Sequence, residues 1–270
     1  MGEDVTPVNS TRLQSLLAFV LLHHQTPISR QQLAVLFWPD TSEAQARTNL
    51  RNLIYQLRHA LPDVDRYLKF EGQTVQLVKS ASLVLDVHEF EKAVRLAQGQ
   101  TDGLEYLIRA VEIYRGDLLP DCYDEWLDPE RERLSRLFAN SLDRLVILLE
   151  RKRDYLAAIA FAERLLGLDE LNENAYRHLM RLHSLLGDRT KALHVYQTCA
   201  AVLKNELSIE PDKETRDLFE RLKNSDANTP AFPAASAESR IKPLVGRERE
   251  WTEMQQAWGR AVEGHPHCII

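Results

Sequence analysis

One spacing constrains this chain more than any other feature: Asp154-x3-Ala158-x3-Ala162 recurs as Asp188-x3-Ala192-x3-Tyr196, an offset of 34 residues. That is the period of a tetratricopeptide helix pair, a unit that buries its apolar stripe only by stacking on its neighbours. The small side chains of Ala158 and Ala192 suit helices that approach closely. From Asp86 to Leu222 the pattern is helical almost throughout, in segments of about 13 to 18 residues broken by Gly, Asp and Pro. An all-α helical-repeat domain over residues 86–222 is the expectation.

Residues 1–85 read differently. Residues 10–23 carry apolar side chains around most of a helix behind a Ser10 or Thr11 cap, and Pro27 ends it. Ser29, with Gln32 three residues on, reads as a capping box for a second helix that turns Leu33, Leu36 and Phe37 inward before Trp38-Pro39 stops it. A third helix starts at Ser42 and runs to about Leu61, with Leu50, Leu53, Ile54, Leu57 and Leu61 as its core stripe. Beyond Pro62, Tyr67 to Phe70 and Thr74 to Val78 flank Glu71-Gly72-Gln73 as a hairpin, and Leu83 to Val87 reads as a further strand. Three helices followed by a β-hairpin wing is the order of a winged helix-turn-helix. The predicted fold class is therefore mainly α, a winged helix and then a tetratricopeptide-like repeat domain. A small, polar, Pro-containing linker follows over 223–240, and then a helical pattern from Trp251 to Val262.

Charge has to be read by region. A net charge of −6 argues against a nucleic-acid binder, since Lys and Arg supply most of the sequence-independent affinity for phosphates. Residues 1–80, however, hold eight Lys/Arg against seven Asp/Glu, whereas the remaining 190 hold 26 against 33. The acid sits downstream. Cys122, Cys199 and Cys268 lie far apart without CxxC or Cys/His spacing, so no disulfide framework and no metal site is expected, and no cofactor motif occurs. No apolar run reaches the roughly 18 residues of a membrane span and no signal-peptide pattern opens the chain, so a cytoplasmic protein with no membrane partner is expected.

Candidate contact residues follow from the third helix. A wheel centred on Leu50 and Leu57 sets Thr48, Arg51, Asn52, Tyr55 and His59 on the opposite face, with Arg47 and Arg58 flanking. Major-groove readout uses this set: Arg favours guanine, Asn favours adenine, and hydroxyls with flanking Arg take phosphates. On the wing, Lys69, Gln73, Thr74 and Lys79 suit phosphate or the minor groove, while a hairpin edge protected by Lys accounts for them equally. Asp117, Asp121, Asp124, Glu125 and Asp128 surround Trp126 without a convergent His or calcium-loop spacing, so they read as a solvated loop over a buried Trp126. Tyr106, Tyr114, Phe138, Tyr155, Phe161, Tyr176 and Tyr196 fit an inter-helix core or a ligand groove, and sequence leaves both open. The nine His are scattered and no catalytic constellation emerges, so the chain reads as a non-enzyme.

Three segments resemble one family in order. Gln32 to Asp40, then Ala46 to Arg58, is similar to the winged helix of Streptomyces antibiotic regulatory proteins. Asp86-Val87-His88-Glu89-Phe90, Gly116 to Asp121, Trp126-Leu127, Tyr196 and Glu206 to Pro211 resemble that family's bacterial transcriptional activator domain. The resemblance implies a winged helix bound to double-stranded promoter DNA, as a homodimer on repeated sites, and recruitment of RNA polymerase holoenzyme. Leu244-Val245-Gly246-Arg247-Glu248-Arg249-Glu250 is similar to the opening of an AAA-like ATPase module, so residues 241–270 read as its truncated start, although no G-x-x-x-x-G-K-[ST] occurs. Only nine residues precede Ser10, less than the family's usual N-terminal sheet needs. The rival reading is a protein-interaction adaptor whose winged helix does not bind DNA, favoured by the near-neutral charge of residues 1–80.

Overall fold

A computed structural model of the chain describes residues 10–23, 26–61, 64–78, 84–99 and 103–224. Lys79, Leu83, Cys268 and the expected ATPase start at 241–270 lie outside the described residues, as does nearly all of the expected linker.

The first third comprises α1 (Thr11–Leu22), β1 (Ile28–Ser29), α2 (Arg30–Phe37), α3 (Glu43–Ala60), a 3-10 turn (Val64–Arg66), β2 (Leu68–Lys69) and β3 (Thr74–Leu77). It is a winged helix. The sheet is antiparallel with order β1-β3-β2; Ile28 faces Val75 and Leu68 faces Leu77, so three of these four apolar side chains join the buried core. The hairpin turns at Gly72, whose φ of +53° is the left-handed conformation that glycine adopts at least cost. Two caps form as expected: the Ser29 side chain accepts the Gln31 N–H while Gln32 Oε1 accepts the Ser29 N–H, and Ser42 accepts from Gln45. Ser10 occupies the N-cap of α1 but makes no side-chain cap bond.

Of the strand expected at Leu83 to Val87, the described residues Val84 to Val87 form none. Helix α4 begins at Asp86, where the carboxylate accepts the Val87 N–H at 2.8 Å and Glu89 adds a second acid to the first turn. Negative charge there favours the helix start over an extended chain. The third strand of the sheet is instead β1, on the N-terminal side of α2.

The repeat domain runs through α4 (Asp86–Gln98), α5 (Leu104–Ile113), α6 (Leu127–Arg151), α7 (Tyr155–Leu168), α8 (Glu173–Leu185), α9 (Arg189–Leu207) and α10 (Lys213–Asn224). From α4 to α9 each helix packs on the next. The 34-residue offset is carried by the backbone. Asp154 and Asp188 are the N-caps of α7 and α9, accepting from Ala157 and Lys191. Just before each cap, the Asp154 N–H donates to the Leu149 carbonyl at 3.0 Å and the Asp188 N–H to the His183 carbonyl at 2.9 Å. The residues between, Arg153 (φ +63°) and Gly187 (φ +81°), are both left-handed, giving a Schellman-type helix stop in each copy. Ala158, Ala162 and Ala192 are fully buried. At Gly103 a Cβ would come within 2.6 Å of the Ala97 carbonyl, so the absence of a side chain lets α5 start against the end of α4. The aromatic side chains serve mainly as core: Tyr114 stacks on Phe138 and Tyr196 on Phe219.

The winged-helix core is completed from the repeat domain. Cys122, Trp126 and Leu127 bury with Leu16, Val20 and Phe37 in one cluster. The Trp126 ring meets Phe19 edge-on at 5.0 Å, and its Nε1 donates to Ser15 Oγ at 3.0 Å. Asp124 accepts from the Arg12 guanidinium and from the Ser15 hydroxyl. Arg131 donates to the carbonyls of Leu118, Leu119 and Cys122, fixing the loop that carries these residues. The solvated-loop expectation therefore holds for Asp117, Asp121, Glu125 and Asp128, which are exposed, and fails for Asp124. A carboxylate between a guanidinium and a buried hydroxyl is withdrawn from water because both partners hydrogen-bond its charged form.

Candidate nucleic-acid interface

Helix α3 has two faces set by its sequence. Ala46, Leu50, Leu53, Ile54 and Leu57 are buried against the rest of the winged helix. Arg47, Thr48, Arg51, Asn52, Tyr55, Arg58 and His59 are all exposed, so the wheel and the structure agree on which side faces solvent.

These seven side chains are not equivalent. Arg51 and Asn52 have no intramolecular hydrogen-bond or ion-pair partner among the described residues, which leaves their donors uncommitted. Thr48 Oγ1 donates back to the Ala44 carbonyl at 3.0 Å. Tyr55 is 63% exposed and its ring lies 4.0 Å from that of His59, whose Nδ1 sits 2.9 Å from the Tyr55 carbonyl. Arg47 pairs with Glu43 one turn back. Arg58 is drawn toward the wing: it bonds Asp65 through Nε at 3.1 Å and Nη2 at 2.9 Å, with its guanidinium 4.8 Å from the Phe70 ring centre. On the wing itself Lys69 and Gln73 are exposed, and Lys69 lies 3.9 Å from Glu71.

The exposed face of α3 extends one turn further toward its N-terminus than the wheel drawn from sequence. Gln45 is exposed in the first turn of α3 and donates to Asn49 at 2.9 Å. The i, i+3, i+4 continuation backward from Thr48 and Asn49 is the signal that finds it.

Among the described residues, no group of His, Cys, Asp and Glu is arranged to hold a metal ion, and no helix is long and apolar enough to cross a membrane.

A winged helix presenting this face, joined to a stack of paired helices, defines a class, and residues 85–223 match the bacterial transcriptional activator domain. The chain belongs to that family. Among curated proteins it is 22% identical over 247 residues to the regulatory protein AfsR of Streptomyces griseus, covering 90% of this chain and 25% of AfsR. It is 24% identical over 237 residues to the transcriptional regulatory protein MoaR1 of Mycobacterium tuberculosis, covering 80% of this chain and 73% of MoaR1. The chain thus spans about a quarter of the length of AfsR. A solved structure of Mycobacterium tuberculosis EmbR in complex with a low-affinity phosphopeptide superposes with a TM-score of 0.64 at 20% identity, covering 82% of this chain and 61% of EmbR. That likeness establishes the shared fold.

Proposed function

We propose that this chain is a sequence-specific transcription regulator, an activator, that grips double-stranded promoter DNA with α3 in the major groove. The observation that carries the reading is the uncommitted pair Arg51 and Asn52, centred on the exposed face of a helix whose other face is core. In this reading Arg51 and Asn52 meet base edges, while Arg47, Thr48, Tyr55 and His59 meet sugar and phosphate. Arg58, Lys69, Gln73 and Lys79 contact the flanking backbone from the wing side. The repeat domain then acts on a second protomer on a repeated site and on RNA polymerase. Membership of the activator-domain family and the resemblance to AfsR and MoaR1 support the assignment. The Leu244 to Glu250 segment supports a further reading, that 241–270 begins an ATPase module.

One observation favours the rival adaptor reading: Arg47 and Arg58 are neutralised by Glu43 and Asp65. Both pairs are exposed, and such pairs contribute only about 0–1 kcal/mol, so exchanging a carboxylate for a phosphate costs little. Capture of sheared genomic DNA by the purified protein, followed by sequencing, tests the proposal. A small set of promoter fragments carrying spaced repeats is expected; recovery no better than random fragments would favour the adaptor.

A further inference from the structure

A cleft of about 580 Å³ opens between α4 and the loop that follows α5, remote in sequence from the α3 face. Its floor is apolar, from Val87 on α4, Phe90 and Leu134, and its far wall is Leu118 with Pro120. The rim is polar and net acidic: Asp86 and Asp117 stand against a single cation, Arg115. Tyr114 sits between floor and rim, with its ring held by stacking on Phe138 at 4.1 Å and its hydroxyl 3.5 Å from the Asp117 carboxylate. Burial first, then the nearby Asp117 charge, raises the Tyr114 pKa, so the hydroxyl keeps its proton and donates toward Asp117. The volume and the mixture of apolar walls with a few convergent polar groups are those of a small-molecule site.

The wall of this cleft is also the loop that seats the winged helix. Gly116 (φ +147°) and Leu119 (φ +47°) hold uncommon backbone conformations, and a left-handed leucine persists only where its surroundings impose it. Arg131 imposes it here by binding three carbonyls of the loop, and a few residues further on the same loop delivers Asp124 and Trp126 to α1. A molecule pressing on Leu118 would therefore act on a segment anchored at its other end in the winged-helix core.

We propose that this cleft binds a small organic cation with an apolar, aromatic-sized body, its charge met by Asp117 and Asp86, and that occupancy tightens the seat of the winged helix through the 116–126 loop. The test uses the full chain and 2-naphthylmethylammonium as a fluorescent probe, with 2-naphthoate as the anionic counterpart. Saturable binding of the cation, preferred over the anion by about fivefold or more, is expected from one uncompensated carboxylate at contact distance. Asp117→Asn should remove most of that preference, and Val87→Trp should fill the cleft and abolish binding. Circular dichroism checks that the filled variant folds; if it does not, Leu118→Trp fills the cleft from the other wall. Hydrogen exchange in residues 116–126 and in α1 should slow when the probe binds. No saturation below about 10 mM, equal binding of the anion, or binding that survives filling of the cleft would overturn the site. Binding without slowed exchange in α1 would overturn the coupling. None of these readouts involves DNA, so the proposal stands or falls apart from the assignment of α3.

Discussion

Replacing Asp124 with alanine should loosen the junction between the winged helix and the repeat domain, and the cost can be worked from the contacts. The carboxylate is only 15% exposed and accepts from Arg12, whose side chain is 40% exposed, and from the fully buried Ser15 hydroxyl. A charge-assisted bond in a dry site contributes roughly 1.5–3 kcal/mol, and solvent at the Arg12 end brings this toward about 1 kcal/mol. The buried Ser15 hydroxyl still accepts from Trp126 but loses its own acceptor, a further 1 kcal/mol or so. The expected loss is about 2 kcal/mol, or a fall in Tm of about 4–8 °C for a chain of this size. Asp124→Asn keeps an acceptor for Ser15 and should cost about half as much. Urea unfolding of the full chain gives both values, and a double-mutant cycle with Arg12→Ala should return a coupling of about 1 kcal/mol. A stability within about 0.5 kcal/mol of wild type for Asp124→Ala would refute the clamp.

Other positions give independent checks. Arg153 and Gly187 occupy equivalent left-handed sites, so Arg153→Gly should stabilise by up to about 1 kcal/mol and Gly187→Ala destabilise by a similar amount in thermal melts. The Asp143 carboxylate is held below its usual pKa chiefly by its hydrogen bond to His178, 2.8 Å away, with burial working against this. A depressed carboxylate contributes stability above its unfolded pKa that is lost as pH falls through the folded one. Wild type should therefore lose stability below about pH 4, and Asp143→Asn should lack that part of the loss in acid titrations. Burial pushes the Cys199 thiol up to about 12, so Cys199 should resist iodoacetamide at pH 8 in the folded chain and react after unfolding, as read by mass spectrometry.

Much of this molecule was legible in its residues because the signals were local. The Ser29 box, the Leu50 to Leu57 stripe, the Gly72 turn and the paired Asp154 and Asp188 caps each depend on neighbours within a few positions. What escaped was short or distant. A two-residue strand such as Ile28–Ser29 has no period to detect, and it exists because β3 pairs with it from more than 40 positions away. Val84 and Leu85 look like a strand until the helix-starting acids after them are weighed. Asp124 belongs chemically to α1, 109 residues upstream of it through Ser15, and nothing near it in sequence separates it from its solvated neighbours. On α3, the exposed face could be read from periodicity, whereas the capture of Arg58 by Asp65 and Phe70 needed the fold of the wing.

The proposed role of α3 is to read DNA through Arg51 and Asn52. Fluorescence anisotropy on a captured promoter fragment and on a random duplex, for wild type and Arg51→Ala across a salt series, tests it most directly. Affinity should fall steeply with salt for both proteins, with a log–log slope of about −0.9 for each phosphate neutralised. Arg51→Ala should lose about 1–3 kcal/mol on the promoter fragment and little on the random duplex. Equal loss on both duplexes, or binding indifferent to salt, would contradict it.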